Sequence, residues 1–139
     1  LAENAGELMA RYDLAIDCSD NFPTRHLLNE VCCQQNKPWI YGAVSRFEGQ
    51  VAVIAPGGKP CYRCLFPDAP ESNPHGAELG IIGVVPGLVG AVQATEGLKW
   101  FLGIGRGMAG RLLMIDALQM RFREIAIPAD PACPVCGSQ

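Results

Sequence analysis

The sequence predicts an α/β fold built on a mixed sheet, and three observations carry that expectation. A short apolar strand, a helix and a second apolar strand follow one another between Tyr12 and Val44, the spacing of a parallel βαβ unit. Beyond Arg46 the pattern changes to alternating strands that suit antiparallel pairing. Two C-x-x-C pairs, one mid-chain and one near the end, add the mark of a metal-stapled protein.

The elements follow in order. Leu1 to Arg11 reads as an amphipathic helix. Tyr12 to Cys18 is short and apolar and stops at polar residues, as a buried parallel strand does. Pro23 suits a first helical turn, and the helix is predicted to run to about Asn36, closed by Lys37 and Pro38. Trp39 to Val44 is the next strand. Phe47 to Ala55 alternates, and Pro56-Gly57-Gly58 signals a turn. Cys61 to Ala77 holds Pro67, Pro70 and Pro74 and is expected to be a loop. A helix is predicted from Pro86 to near Leu102, stopped by Gly103, with glycines that suggest close packing. Two strands, Arg111 to Leu118 and Met120 to Ile127, precede a tail rich in Pro and Cys. At 139 residues and 49 % apolar content, the expectation is a single domain over 1–139.

Charge and hydropathy narrow the partners. The net charge is −3, and the longest cationic cluster is Arg121 with Arg123 around Phe122, which excludes a nucleic-acid surface. Leu79 to Ala94 is broken by Gly83, Pro86, Gly87 and Gly90, so no membrane span is expected. Glu3, Glu7 and Arg11 are foreign to a secretory signal. A cytoplasmic, reduced protein is expected, and in that compartment close-set cysteines favour metal over disulfide.

The seven cysteines divide into two groups. Cys61, Cys64, Cys133 and Cys136 form two knuckles, and two intervening residues let both sulfurs of a pair reach one ion. A redox pair or four unrelated buried thiols are the alternatives. Redox C-x-x-C pairs usually open a helix, whereas Cys61 follows a Gly-Gly-Lys-Pro turn and Cys133 sits in a Pro-rich tail. A shared structural Zn²⁺ is therefore expected. Cys18, Cys32 and Cys33 read as small apolar core residues. His26 and His75 have no partner at a convincing spacing and receive no role.

Ile16 to Asn21 (IDCSDN) places Asp17, Ser19, Asp20 and Asn21 at the carboxyl end of a predicted parallel strand, where ligands of open α/β sheets sit. A carboxylate there can hold Mg²⁺ beside nucleotide phosphates. Equally, Asp20 or Asn21 can simply cap the following helix. Arg25, one turn further on, is expected to be a solvated helix arginine. No G-x-G-x-x-G follows a strand, so the phosphate-cradling loop of a nucleotide-binding sheet is expected outside this chain, as in a fragment.

YDLAIDCSDNFPTRHLLN, FEGQV, CYRCLFP, GLVGAVQATEGLK, IDALQMRFREI and the closing CPVCG together resemble, in order, the C-terminal portion of MoeB, ThiF and HesA proteins of the ubiquitin-activating-enzyme superfamily. The resemblance covers essentially the whole chain. It implies a Rossmann-like ThiF-type fold, of which this is the C-terminal part, with a mixed sheet and a structural zinc site. It also implies ATP- and Mg²⁺-dependent adenylation of the C-terminal glycine of a ubiquitin-like sulfur-carrier protein ending in Gly-Gly, by a homodimeric enzyme in a molybdopterin, thiamin or related pathway. By the same resemblance, Asp20 is the Mg²⁺-associated aspartate of the catalytic site, Asn21 contacts the nucleotide, and Cys61, Cys64, Cys133 and Cys136 are the zinc ligands. The FEGQ strand and the glycine-rich helix correspond to regions shaping the carrier-tail channel and the dimer contact. Many relatives place a reactive cysteine at the position of Gly76, so thioester capture is not expected here. This chain alone is expected to be inactive. The alternative is a catalytically silent, zinc-stapled module that binds a carrier or dimerises.

Overall fold

The computed structural model describes residues 3–68 and 80–137. Five strands form one sheet in the order β1-β2-β3-β4-β5. They are β1 (Ala15–Ile16), β2 (Trp39–Ser45), β3 (Glu48–Ile54), β4 (Arg111–Asp116) and β5 (Arg121–Ala126). β1 and β2 pair in parallel, and every later pair is antiparallel. The mixed sheet expected from the change of pattern at Arg46 is thus present, with the crossover helix α2 (Phe22–Gln34) joining the parallel pair.

Alternation along the strands sorts the core into two layers. Trp39, Tyr41, Ala52 and Ile54 face α1 (Ala5–Ala10), α2, the one-turn α3 (Tyr62–Leu65) and the tail. Ile40, Val51 and Val53 face the other way, against Val85 and Val89 of α4 (Val84–Leu102). β2 and β3 are therefore covered on both faces, while β5 is exposed throughout.

Several boundaries differ from those predicted. β1 is two residues long rather than seven, because among the described residues it has a neighbour on one side only, and its register pairs are Ala15↔Trp39 and Ile16↔Ile40. α4 begins at Val84, two residues early; Pro86 then falls in the first turn, where a missing N–H leaves no hydrogen bond unmade. Gly103 ends α4 with φ +62, the left-handed conformation that glycine adopts without strain. Of the helix glycines, only Gly97 is closely packed, against Leu14, Ile40 and Ile16, while Gly87 and Gly90 have open space where a Cβ would stand. The predicted loop after Cys61 opens with α3. His75 and Gly76 lie outside the described residues.

Lys37, where α2 has closed, fixes the start of the fold. Its Nζ donates to the carbonyls of Met9, Ala10 and Tyr12, placing a cation on the exposed carbonyls at the end of α1. Gln35 Nε2 adds a bond to Gly6 O at 2.8 Å.

Candidate functional site

The polar run after β1 separates into three roles. Asp17 is buried, and its Oδ2 accepts from Arg25 Nε at 3.0 Å. Its Oδ1 accepts from the Ser19 backbone at 3.0 Å and the Ser19 hydroxyl at 2.6 Å. Asn21 is the N-cap of α2, its Oδ1 accepting from Thr24 N at 2.9 Å. The capping role open to Asp20 or Asn21 therefore falls to Asn21. Asp20 stays exposed at the cleft edge, with Asn21 Nδ2 at 3.4 Å from its Oδ1.

Arg25 corrects the expectation of a solvated side chain. It is buried, and besides Asp17 its Nη2 donates to Ser19 O at 2.6 Å and Gly42 O at 3.3 Å. Its guanidinium lies over the Tyr41 ring, 5.2 Å from the centroid. Burial works against its charge, but Tyr41 and Asp17 beside it leave its pKa raised. Burial in turn pushes Tyr41 up strongly and Tyr62 up to about 12, so both rings stay neutral phenols around this cation.

Gln93 of α4, fully surrounded, donates Nε2 to Asp17 O at 2.8 Å and to Ile40 O at 3.3 Å. These carbonyls belong to neighbouring chain segments at the end of the parallel pair, so one amide ties both to the helix. Gly42 makes room for it, since a Cβ there would fall within forbidden contact of the Gln93 amide. The sequence holds a signal for Gln93, a lone amide in an apolar helical run, but not its partners. Arg25 and Gly42 carry no comparable signal.

These residues border a cleft of about 390 Å³ at the carboxyl end of β1 and β2, lined among others by Asp20, Ser45, Ile81 and Pro86. Arg25 is the one cation among the described lining residues, and it is committed to Asp17. Asp20 supplies an exposed carboxylate. That donor set suits a hydrated divalent cation better than bare phosphate. Cys18, expected in the core, is exposed and lines the same cleft.

The second cluster lies on the opposite face of the sheet. Cys61, Cys64, Cys133 and Cys136 bring their sulfurs within 4.8 Å of one another. Cys61 and Cys133 are 3.6 Å apart, and Cys64 and Cys136 are 3.4 Å apart. A disulfide needs about 2.05 Å, whereas four sulfurs at about 2.3 Å around a tetrahedral metal stand about 3.8 Å apart. All four cysteines are free thiols, three of them buried. The arrangement can hold one metal ion. Cys61 does open a helix, the one-turn α3, so the loop expected around it was not a valid objection to a redox pair. The objection is instead geometric: each thiol meets one from the other knuckle.

Acidity within the cluster is divided. Hydrogen bonding from Cys33 pulls Cys61 down to about 4, against the opposing effect of burial. Burial raises Cys64 and Cys136, and the bond to Cys61 raises Cys33. Crowded thiols favour one thiolate that accepts from its neighbours; a divalent cation allows all four to ionise.

A mixed sheet with a cleft at its carboxyl edge and a group of four converging thiols defines an α/β protein with a candidate metal centre. The model of the ThiF family matches residues 1–135, and the chain belongs to that family. It is 49 % identical over 136 residues to a SAMP-activating enzyme E1 from Haloferax volcanii, covering 96 % of this chain and 50 % of that protein. It is 48 % identical over 145 residues to a sulfur carrier protein adenylyltransferase from Thermus thermophilus, covering 99 % of this chain and 54 % of that protein. The chain thus spans about half the length of these curated relatives. Among solved structures, E. coli MccB with ATP aligns over 99 % of this chain and 43 % of its own, with TM-score 0.76 and 17 % identity, a likeness of fold. Among the described residues no helix is long and apolar enough to cross a membrane.

Proposed function

We propose that this chain is the C-terminal portion of an ATP-dependent adenylyltransferase that activates the C-terminal glycine of a ubiquitin-like sulfur-carrier protein. The observation that carries this reading is the division of labour after β1. Asp17 is neutralised by Arg25, while Asp20, three residues on, presents its carboxylate to the cleft. The relatives at 49 % and 48 % identity, an activating enzyme E1 and a sulfur carrier protein adenylyltransferase, support the same chemistry.

In this reading Asp20 holds Mg²⁺ beside the triphosphate, and Asn21, as the cap of α2, fixes the turn that presents it. Mg²⁺ supplies charge neutralisation where an incoming carboxylate and the α-phosphate would otherwise repel each other. Arg25, Ser19 and Gln93 hold the β1–α2 turn rigid, so that alignment contributes to the rate. The cations that grip the phosphates come from outside this chain, because the cleft's own arginine is committed. The four cysteines hold Zn²⁺ in a structural role. The intact enzyme is a cytoplasmic homodimer acting on a Gly-Gly-terminated carrier.

Exchange of labelled pyrophosphate into ATP tests the proposal. The intact protein should catalyse exchange only with a Gly-Gly-terminated carrier present, and Asp20→Ala should suppress it at least about 100-fold, as the loss of a key electrostatic contact does, with metal content unchanged. Undiminished exchange in Asp20→Ala would remove Asp20 from the mechanism. No exchange by the intact wild-type protein would leave the silent binding module.

A further inference from the structure

The first knuckle also carries a side chain that takes no part in ligation. Tyr62 stands between Cys61 and Cys64, is completely buried, and its N–H donates to Asn29 Oδ1 at 2.9 Å. Its hydroxyl has no hydrogen-bond partner among the described residues. An unpaired buried hydroxyl costs stability, so what Tyr62 contributes is its ring. That ring sits amid other rings, 5.5 Å from Trp39, 5.3 Å from His26, 5.0 Å from Phe66 and 5.1 Å from Tyr41 between centroids.

Tyr41 links this group to the cleft. The Arg25 guanidinium lies 5.2 Å from the centroid of its ring. Arg25 in turn donates to Asp17 Oδ2, Ser19 O and Gly42 O, and Asp17 accepts from the Ser19 N–H and hydroxyl. The turn held in this way carries Asp20 at the cleft. Packed groups thus run without a break from the cysteine pair through Tyr62, Tyr41 and Arg25 to the β1–α2 turn. Coupling along such a run needs a part that can move. Tyr41 is fixed by the β2–β3 ladder, whereas α3 is one turn long and has no stability of its own in water. The direction of Tyr62 therefore depends on what holds α3: Asn29, and the meeting of Cys61 and Cys64 with the tail cysteines at 3.6 and 3.4 Å.

We propose that Tyr62 is a positioning residue for the adenylation: its ring, aimed by the first knuckle, keeps Tyr41 seated against Arg25 and so couples the four-cysteine cluster to the turn that carries Asp20. This rests on the readings of Asp20 as the Mg²⁺ ligand and of the four cysteines as a zinc site. In a close-packed interior, neighbours relax only in part into the void left by a missing ring. Tyr41 gains freedom, Arg25 loses part of the aromatic support for a desolvated cation, and the Ser19 N–H is freed more often.

The test uses the intact protein loaded with zinc and reads two quantities, hydrogen exchange at the Ser19 amide and affinity for Mg·ATP. Tyr62→Leu, which keeps an apolar side chain without the ring, should exchange at Ser19 about 3- to 10-fold faster, the scale on which one aromatic pair shifts an opening equilibrium. Its affinity for Mg·ATP should fall by a similar factor. Tyr62→Phe, which keeps the ring, should match wild type in both. Leu112→Ala, a cavity in the same core layer that touches none of the ring pairs, should lose stability yet keep both wild-type values. Chelating the zinc from wild type, which alters no residue, should quicken Ser19 as Tyr62→Leu does, and in that variant chelation should add nothing. Wild-type exchange in Tyr62→Leu, equal quickening in Leu112→Ala, or no response of Ser19 to chelation would overturn the proposal. A loosened turn with unchanged Mg·ATP affinity would overturn the positioning role. An intact wild type that binds no ATP would instead refute the adenylyltransferase reading, and exchange at Ser19 would still decide the coupling.

Discussion

Arg25 Nε donates to Asp17 Oδ2 across 3.0 Å, from the first turns of α2 back to the end of β1, so that of the two acids lining the cleft Asp17 is buried in an ion pair and Asp20 is exposed. Both side chains are nearly inaccessible, at 8 % and 2 % exposure. The pair is therefore a device for shaping the turn rather than a site for ligand charge.

Arg25→Ala is expected to leave the Asp17 carboxylate buried without its cation, at a cost of about 3–5 kcal/mol. Urea denaturation should register this as a lower midpoint with an unchanged slope. Arg25→Lys should recover only part, because an ammonium cannot reproduce the guanidinium bonds to Asp17, Ser19 O and Gly42 O together. An unaltered midpoint in Arg25→Ala would contradict the structural role.

Gly42→Ala should displace Gln93, since the new methyl would occupy the space of its amide. About 1–3 kcal/mol of stability should be lost, the common range for overpacking. Combining it with Gln93→Ala should cost less than the two changes summed, because the clash disappears with the amide. Strict additivity in that double-mutant cycle would show that the two residues do not meet.

Removing the metal should release the tail before it disturbs the sheet. With a chelator present, hydrogen exchange is expected to quicken over residues 128–137 and 61–66, while β2 and β3, whose Ile40, Val51 and Val53 pack under α4, retain protection. Equal loss of protection throughout would mean that the cluster holds up the whole core.

His26 gives the stability a specific pH dependence. It is buried among Phe22 and Tyr62, neither ring nitrogen has a hydrogen-bond partner, and Arg63, Glu30 and Cys61 are the charged or ionisable groups that influence it. Burial first, then Arg63, holds its pKa below the usual 6.5. The unfolded chain therefore takes up this proton more readily, and stability should fall as pH drops below 6.5, levelling off once the folded form is also protonated. His26→Phe should flatten that segment of the stability profile. Parallel profiles for the variant and wild type would assign the pH dependence elsewhere.

Much of the architecture was legible because period and punctuation agree with the tertiary fold. The alternation of Phe47 to Ala55 became β3, Pro23 fell in the first turn of α2, and Gly103 ended α4. β1 was overestimated because apolar content reports burial, whereas ladder length depends on neighbours. The four cysteines were found by spacing, which directly limits how sulfurs can converge. Arg25 and Asn29 were not, because a buried polar residue looks like a surface one until its partner is known. Arg25 reaches Asp17 through a turn, and Asn29 reaches Tyr62 across 33 positions. His26 received no role for the same reason, although its nitrogens are enclosed by aromatic rings.

The four-thiol staple also bears on the order of synthesis. Cys133 follows Cys61 by 72 positions. At 5–20 residues per second, translation takes roughly 4–14 s to cover that interval. For a delay of that length the earlier knuckle has only half the site's complement of sulfurs. Closure thus waits on the second knuckle, and until then the nascent protein depends on the reducing power of its surroundings to keep those first two thiols intact.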